Sequence, residues 1–272
     1  MPFPPQSLSP RPIHAQNSVP APHRSQRPAP SRVLAASSAL LALLLLAGCS
    51  TTDAPPPSPT ATPTPTKSLA PTGDGILRIG TLFPMTGGTD AAAPVTGPAQ
   101  VAGTELAARE ILELGTAAKL PIELVHRNSM GNVGSVLAEL LARHVDLLLW
   151  DATTPVPAEV TASVDMAGVT IVPLDTFANG GTPLPADDAF AARLRTADPG
   201  LTGTAGGGEA YDALMLAALA AVEAHDDGAA SLGPAIDRVS HGSTVCGSWS
   251  ACLTGLSSSG GISWEGMTGR RS

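Results

Sequence analysis

Apolar residues fall in three regimes along this chain. Residues 33–47 form a mostly apolar run that ends in LALLLLA. Residues 50–75 (STTDAPPPSPTATPTPTKSLAPTGDG) are rich in Pro, Thr and Ser and nearly free of large apolar side chains. From Ile76 onward, short β-branched runs alternate with stretches whose apolar residues recur at helical spacing. The runs 76–83 (ILRIGTLF), 121–126 (PIELVH), 145–150 (VDLLLW) and 169–173 (VTIVP) read as strands. Between them, residues 98–114 place Gly103, Ala107, Ile111 and Leu114 on one helical face, with Leu106 beside them. Residues 133–143 do the same with Val133, Val136, Leu137, Leu140 and Leu141, and residues 156–167 with Val156, Val160, Val164 and Ala167.

Strands alternating with helices of this length predict βαβ units, hence an α/β fold with a parallel, doubly wound sheet. Ligands in such sheets bind at the carboxyl ends of the strands. Here those ends are the short polar turns 84–88, 151–154 and 174–176. Beyond Gly180 the pattern becomes mostly helical. A short helix is expected over 187–197, a long apolar one over 209–225, a shorter one over about 229–239, and a last strand over 262–265. Tyr211, Leu214, Met215, Ala218, Leu219 and Val222 form the inward face of the long helix, which is expected to dock on the edge of the sheet. The intervening GTAGGG (203–208) lacks Gly-x-x-x-x-Gly-Lys, so it is expected to serve as a hinge or linker, not as a phosphate loop.

The run 33–47 falls short of the roughly 20 residues that cross a bilayer. It has the length of a signal-peptide core, and Arg24, Arg27 and Arg32 stand before it. Its ending, Leu46-Ala47-Gly48-Cys49, resembles the lipobox of bacterial lipoproteins. There the cysteine thiol takes a diacylglyceryl group and becomes the first residue of the mature chain. Residues 1–48 are then a signal peptide with a disordered N-terminal extension. Residues 49–75 are a lipid-anchored Pro/Thr-rich linker, a composition that stays extended. The protein is expected outside the cell membrane, anchored to its outer face by Cys49. Each buried lipid CH₂ contributes about 0.8 kcal/mol, so two or three chains hold firmly where one does not.

Charge narrows the partners. Four arginines (Arg11, Arg24, Arg27 and Arg32) and no acids precede Cys49, so the remainder carries 11 basic and 23 acidic residues, a net charge of −12. That argues against nucleic acid, whose binding needs a basic patch. With Cys49 lipidated, Cys246 and Cys252 remain as an even pair in an exported chain, and a disulfide is expected. The alternative, a zinc half-site, would need partner ligands, and neither His225 nor His241 has the usual spacing. A ring this small stabilises by about 2–2.5 kcal/mol on loop entropy. No Gly-x-Ser-x-Gly and no His-Glu-x-x-His occurs, and no cofactor motif is evident, so an enzyme is not expected. His126-Arg127-Asn128-Ser129, at a strand end, is a candidate anion site, with an ordinary core or surface histidine as the plainer reading.

Several segments, in order, resemble the substrate-binding proteins of ABC importers for branched-chain amino acids. They are ILRIGTLFPMTGG, GPAQVAGTELAAREIL, PIELV, VDLLLWDATT and FAARLRTADPGLTGTAGGGEAYDALMLAALAAVEA, followed by GSTVCGSWSACLTGL and GISWEGMTG. The resemblance implies the type I periplasmic-binding-protein fold, with residues 76–182 as an α/β first lobe. Residues 183–272 would be a reduced, mostly helical remnant of the second lobe, closed by a disulfide hairpin. Only thirteen residues separate Thr176 from Phe190, where the family has most of its second lobe.

The resemblance also implies a site. The first turn maps to Thr86, Gly87 and Gly88, the Ser/Thr turn that holds the ligand's α-carboxylate to Ala152, Thr153 and Thr154, and the turn after the fourth strand to Asp175 and Thr176. Read locally, Thr153 and Thr154 before Pro155 also make a helix N-cap region, and Asp175 also suits a turn cap. Trp150-Asp151 replaces the family's Gly-Pro, and Asp151 beside a carboxylate site would repel the ligand. The expectation is a solute-binding lipoprotein that takes a branched-chain amino acid or similar small amphiphile, without a cofactor, and presents it to an ABC permease. In a degenerate form it would no longer bind. The alternative is a cell-envelope structural or interaction lipoprotein that reuses the α/β lobe without a transport ligand.

Overall fold

Four strands alternate their buried residues between two faces, and this alternation organises the molecule. The computed structural model describes residues 72–86, 95–114, 120–177, 182–257 and 260–271. All of them lie within one contact unit, Thr64–Ser272. Strands β1 (Leu77–Phe83), β2 (Ile122–Asn128), β3 (Leu147–Trp150) and β4 (Thr170–Pro173) form a sheet in the order β2-β1-β3-β4. Every pairing is parallel: Leu77 lies opposite Ile122, Leu82 opposite Trp150, and Trp150 opposite Pro173. Helices α1 (Gly97–Glu113), α2 (Val133–Ala142) and α3 (Ala158–Ala167) make the crossovers.

The chain steps from β1 out to β2, then returns past β1 to β3 and β4, so the first crossover covers one face and the next two cover the other. Leu77, Ile79, Phe83, Leu147 and Leu149 point into a cluster with Ala102, Leu106 and Ile111 of α1. Leu82, Leu148 and Trp150 point the other way, against Leu137 and Leu140 of α2 and Val160 and Val164 of α3. The α/β class with a parallel sheet is therefore present. Element ends differ from expectation by a residue or two. Helix α3 starts at Ala158, because Pro157 at its N-cap is held extended (φ −63°, ψ 145°).

The second half is α4 (Asp188–Ala197), α5 (Gly207–Ala224), α6 (Ala229–Ser240), β5 (Thr244–Cys246), α7 (Trp249–Leu256) and β6 (Ile262–Trp264). It shares one hydrophobic core with the sheet, since Leu77 and Trp264 belong to the same cluster. The boundary drawn at 182/183 is one of sequence, with no break in packing. Helix α5 is buried continuously from Gly207 to Ala221, Glu209 and Asp212 included, and not only on the face expected to point inward. It packs against α1, α6 and α7, and over β3 and the 3₁₀ turn Leu174–Thr176. Its expected place at the sheet edge is corrected: β3 is an inner strand, and α6 packs against the edge strand β4.

Of the GTAGGG glycines, Gly206, Gly207 and Gly208 are closely packed, while Gly203 stands in open space. A Cβ on Gly103 would stand 2.1 Å from the Gly207 carbonyl oxygen, so α1 and α5 cross in backbone contact. Gly206 is left-handed (φ 86°) at the α5 N-cap. The expected disulfide hairpin is also corrected. Cys246 and Cys252 are joined, with Cα atoms 5.2 Å apart, but β5 and β6 pair in parallel through α7. The reason is Ser248, whose hydroxyl accepts from the Ala251 N–H and starts a helix where a turn was expected.

Carboxylates at both ends of α5 hold the chain segments that flank the sheet. Asp226 accepts from the N–H groups of Thr72 and Gly73, and Asp227 from those of Gly75 and Ile76, fixing the entry to β1. Asp212 accepts from the N–H of Met267 (2.8 Å), the N–H of Thr268 (2.7 Å) and the Thr268 hydroxyl (2.6 Å), fixing the turn after β6. Burial pushes Asp212 up to about 6 against those hydrogen bonds, and burial likewise pushes Asp146 up to about 6. Asp226 lies below its ordinary value: burial opposes this, but hydrogen bonds from Ser231, Thr72, Gly73 and Gly228 outweigh it.

These shifts set a pH dependence. Between pH 4 and 6 the folded protein keeps protons that the unfolded chain has released, so stability falls as pH rises through that window and levels above it. The Asp212 share is on the order of 3 kcal/mol, from its rise to about 6. Asp226 works in the opposite sense, losing its contribution as pH drops below the usual carboxylate range. Urea denaturation from pH 4 to 8 should show the decline, and Asp212→Asn should flatten it; an unchanged slope in the variant would refute the assignment.

Candidate functional site at the strand carboxyl ends

Between β1 and β3 the strand order reverses, and in doubly wound sheets this switch point is where ligands bind. Two pieces of chain meet there: the loop 151–154 after β3, and residues 96–100 at the start of α1. Asp151 lies at their junction and is 1% exposed. Its amide donates to the Leu82 carbonyl oxygen at 3.2 Å, which continues the β1–β3 ladder by one step.

The Asp151 carboxylate is held by neutral donors. Oδ1 accepts from Gln100 Nε2 at 2.7 Å and from Thr96 Oγ1 at 3.3 Å. Oδ2 accepts from the Thr153 N–H at 3.0 Å, from Thr154 Oγ1 at 3.2 Å, and from Thr153 Oγ1. Thr96 and Gln100 are themselves buried. Thr96 occupies the N-cap of α1, yet its hydroxyl caps nothing and turns to Asp151 instead. Gln100 Oε1 has no hydrogen-bond partner among the described residues. The amide orientation follows from the contact, since its reversal would set that oxygen against the carboxylate. Beside the loop, Trp150 Nε1 donates to the Thr154 carbonyl oxygen at 2.6 Å, fixing where the two threonines stand.

The expected site residues separate into groups. Ala152 is buried, and Thr153 and Thr154 carry their hydroxyls onto Asp151. Thr86 is exposed at the end of β1, with Asn128 Nδ2 3.4 Å from its hydroxyl. Asp175 is exposed in the 3₁₀ turn. Thr176 donates to the Pro173 carbonyl oxygen at 2.7 Å, and Arg271 Nε approaches its hydroxyl at 3.4 Å. Gly87, Gly88 and Cys49 lie outside the described residues. The candidate anion site at 126–129 is internally paired. His126 meets Thr81 Oγ1 (2.9 Å) and Glu105 Oε1 (3.2 Å), Arg127 pairs with Glu139, and Asn128 Oδ1 accepts from the Met85 and Met130 amides. Burial lowers the His126 pKa, with Glu105 opposing it.

No family model, no curated protein and no solved structure matches this chain. Among the described residues, no helix is long and apolar enough to cross a membrane, and no group of three or more His, Cys, Asp or Glu side chains could hold a metal ion.

Thr96 and Gln100 were not among the residues expected to matter. The one signal for Thr96 was its place before Gly97-Pro98, a helix start. Nothing local marks Gln100. The site is thus a buried carboxylate ringed by amide and hydroxyl donors from two distant stretches, with charge compensated by dipoles. Leaving a buried charged group short of a partner costs about 1–3 kcal/mol or more. Gln100→Leu should therefore lower the urea unfolding free energy by that amount, and a variant as stable as the parent would show that the 2.7 Å contact contributes nothing.

Proposed function

We propose that this chain is an extracytoplasmic lipoprotein of the solute-binding type. It is tethered by Cys49 and built on the first lobe of a type I periplasmic-binding-protein fold, with residues 183–272 as a shortened second lobe. In this reading it serves an ABC permease and recognises a branched-chain amino acid or a similar small amphiphile through its carboxylate. One observation carries the reading. The donors at the β1/β3 switch point converge on a carboxylate, that of Asp151, at the turn where the resemblance implies the ligand's own carboxylate. The parallel sheet and its strand order are what such a lobe needs.

A second reading has an observation of its own. The hydroxyls of Thr153 and Thr154 already serve Asp151, which favours an envelope structural or interaction lipoprotein that keeps the lobe without a transport ligand.

Thermal melts of the full-length chain with a panel of amino acids and small amides separate the two. A midpoint that rises with one ligand supports the transport reading, because only native-state binding raises it. Indifference to the whole panel supports the scaffold. The tether is tested independently by Cys49→Ala, which should move the protein from the membrane fraction to the soluble one; retention in the membrane would remove the lipid anchor from the proposal.

A further inference from the structure

We propose that Asp151 is the resident occupant of this carboxylate cradle, a ligand supplied in cis that a free carboxylate must displace to bind. The inference rests on reading the strand-end donors as a carboxylate site and deepens it by naming what fills them.

Three observations converge. The cradle is assembled from segments far apart in sequence: Thr96 and Gln100 lie 55 and 51 residues before the carboxylate they hold. A local turn could account for the Thr153 and Thr154 contacts, but not for these. The donors leave no side of the carboxylate open, since Oδ1 takes two and Oδ2 takes three. Asp151 is only 1% exposed, so the carboxylate sits inside the cradle and not at its rim. Finally, the donors are neutral. An incoming carboxylate would have to displace Asp151 or share the cradle with it, and two carboxylates sharing neutral donors repel. The side chain of Asp151 beyond its Cα is a methylene and a carboxylate, which is the reacting end of acetate in size and charge. Asp151 therefore does for the cradle what a bound amino acid's carboxylate would do.

The test is chemical rescue in the full-length chain at constant ionic strength and neutral pH. Asp151→Gly removes the methylene and carboxylate, so acetate should refill the space. Asp151→Ala removes the carboxylate alone, so formate should fit better. Each variant should melt below the parent, and its midpoint should rise saturably with its matched carboxylate, while the parent stays indifferent to both and acetamide does nothing. If a variant does not fold alone, it should refold only with the matched carboxylate present. Variants that ignore acetate and formate, respond equally to acetamide, or stay unfolded in every case would overturn the proposal. The two readings fail separately. A parent that binds a free amino acid while the variants gain nothing sinks the cis ligand and keeps the transport reading; rescued variants with an indifferent parent do the reverse.

Discussion

Helix α5 has no face that can be left in water, and the rest of the structure follows from covering it. Leu214, Met215, Leu216 and Leu219 are at most 1% exposed, and each would forfeit roughly 1.5–3 kcal/mol in solvent. A helix at a sheet edge has one covered face. A helix laid over an inner strand can be enclosed by the sheet below, α1 on one side, α6 on another and α7 beyond. The close crossing at Gly103 and Gly207 lets α1 approach to backbone contact, which brings small side chains of both helices together without a void. The carboxylates at its two ends then tie the entry to β1 and the exit from β6 to the same helix.

Four buried carboxylates are held in one way. Asp151, Asp212, Asp226 and Asp227 take their hydrogen bonds from amide N–H groups and hydroxyls, with no guanidinium or ammonium among them. Hydrogen bonds to a charged group are each worth about 1.5–3 kcal/mol. Several together can offset the desolvation that a lone buried charge could not survive. Such cradles demand geometry, since each donor must be aimed, whereas a salt bridge tolerates a mobile partner. That makes these four positions points where the fold is specified rather than merely stabilised.

Much of the architecture was legible in the residues. The apolar runs at 76–83 and 145–150 could only be covered strands, and Leu147, Leu148, Leu149 and Trp150 alternate between the two faces as read. The strand carboxyl ends were legible too, and with them the turn at Thr153 and Thr154. Other features were not. The loop between the cysteines hid a helix because a single serine N-cap started it. Gly206, Gly207 and Gly208 looked like freedom and proved to be contact. Asp151 looked like a charge that repels a ligand, while its own partners, fifty residues away, went unseen.

The sequence by itself determined the elements and their order, because strand and helix periodicity are properties of neighbouring residues. It determined the class of sheet as well, since crossover helices between apolar strands leave little choice. Only the tertiary structure decided which face α5 covers and where the carboxylates find their donors. Both depend on groups brought together from distant stretches, by a packing requirement that no local window contains.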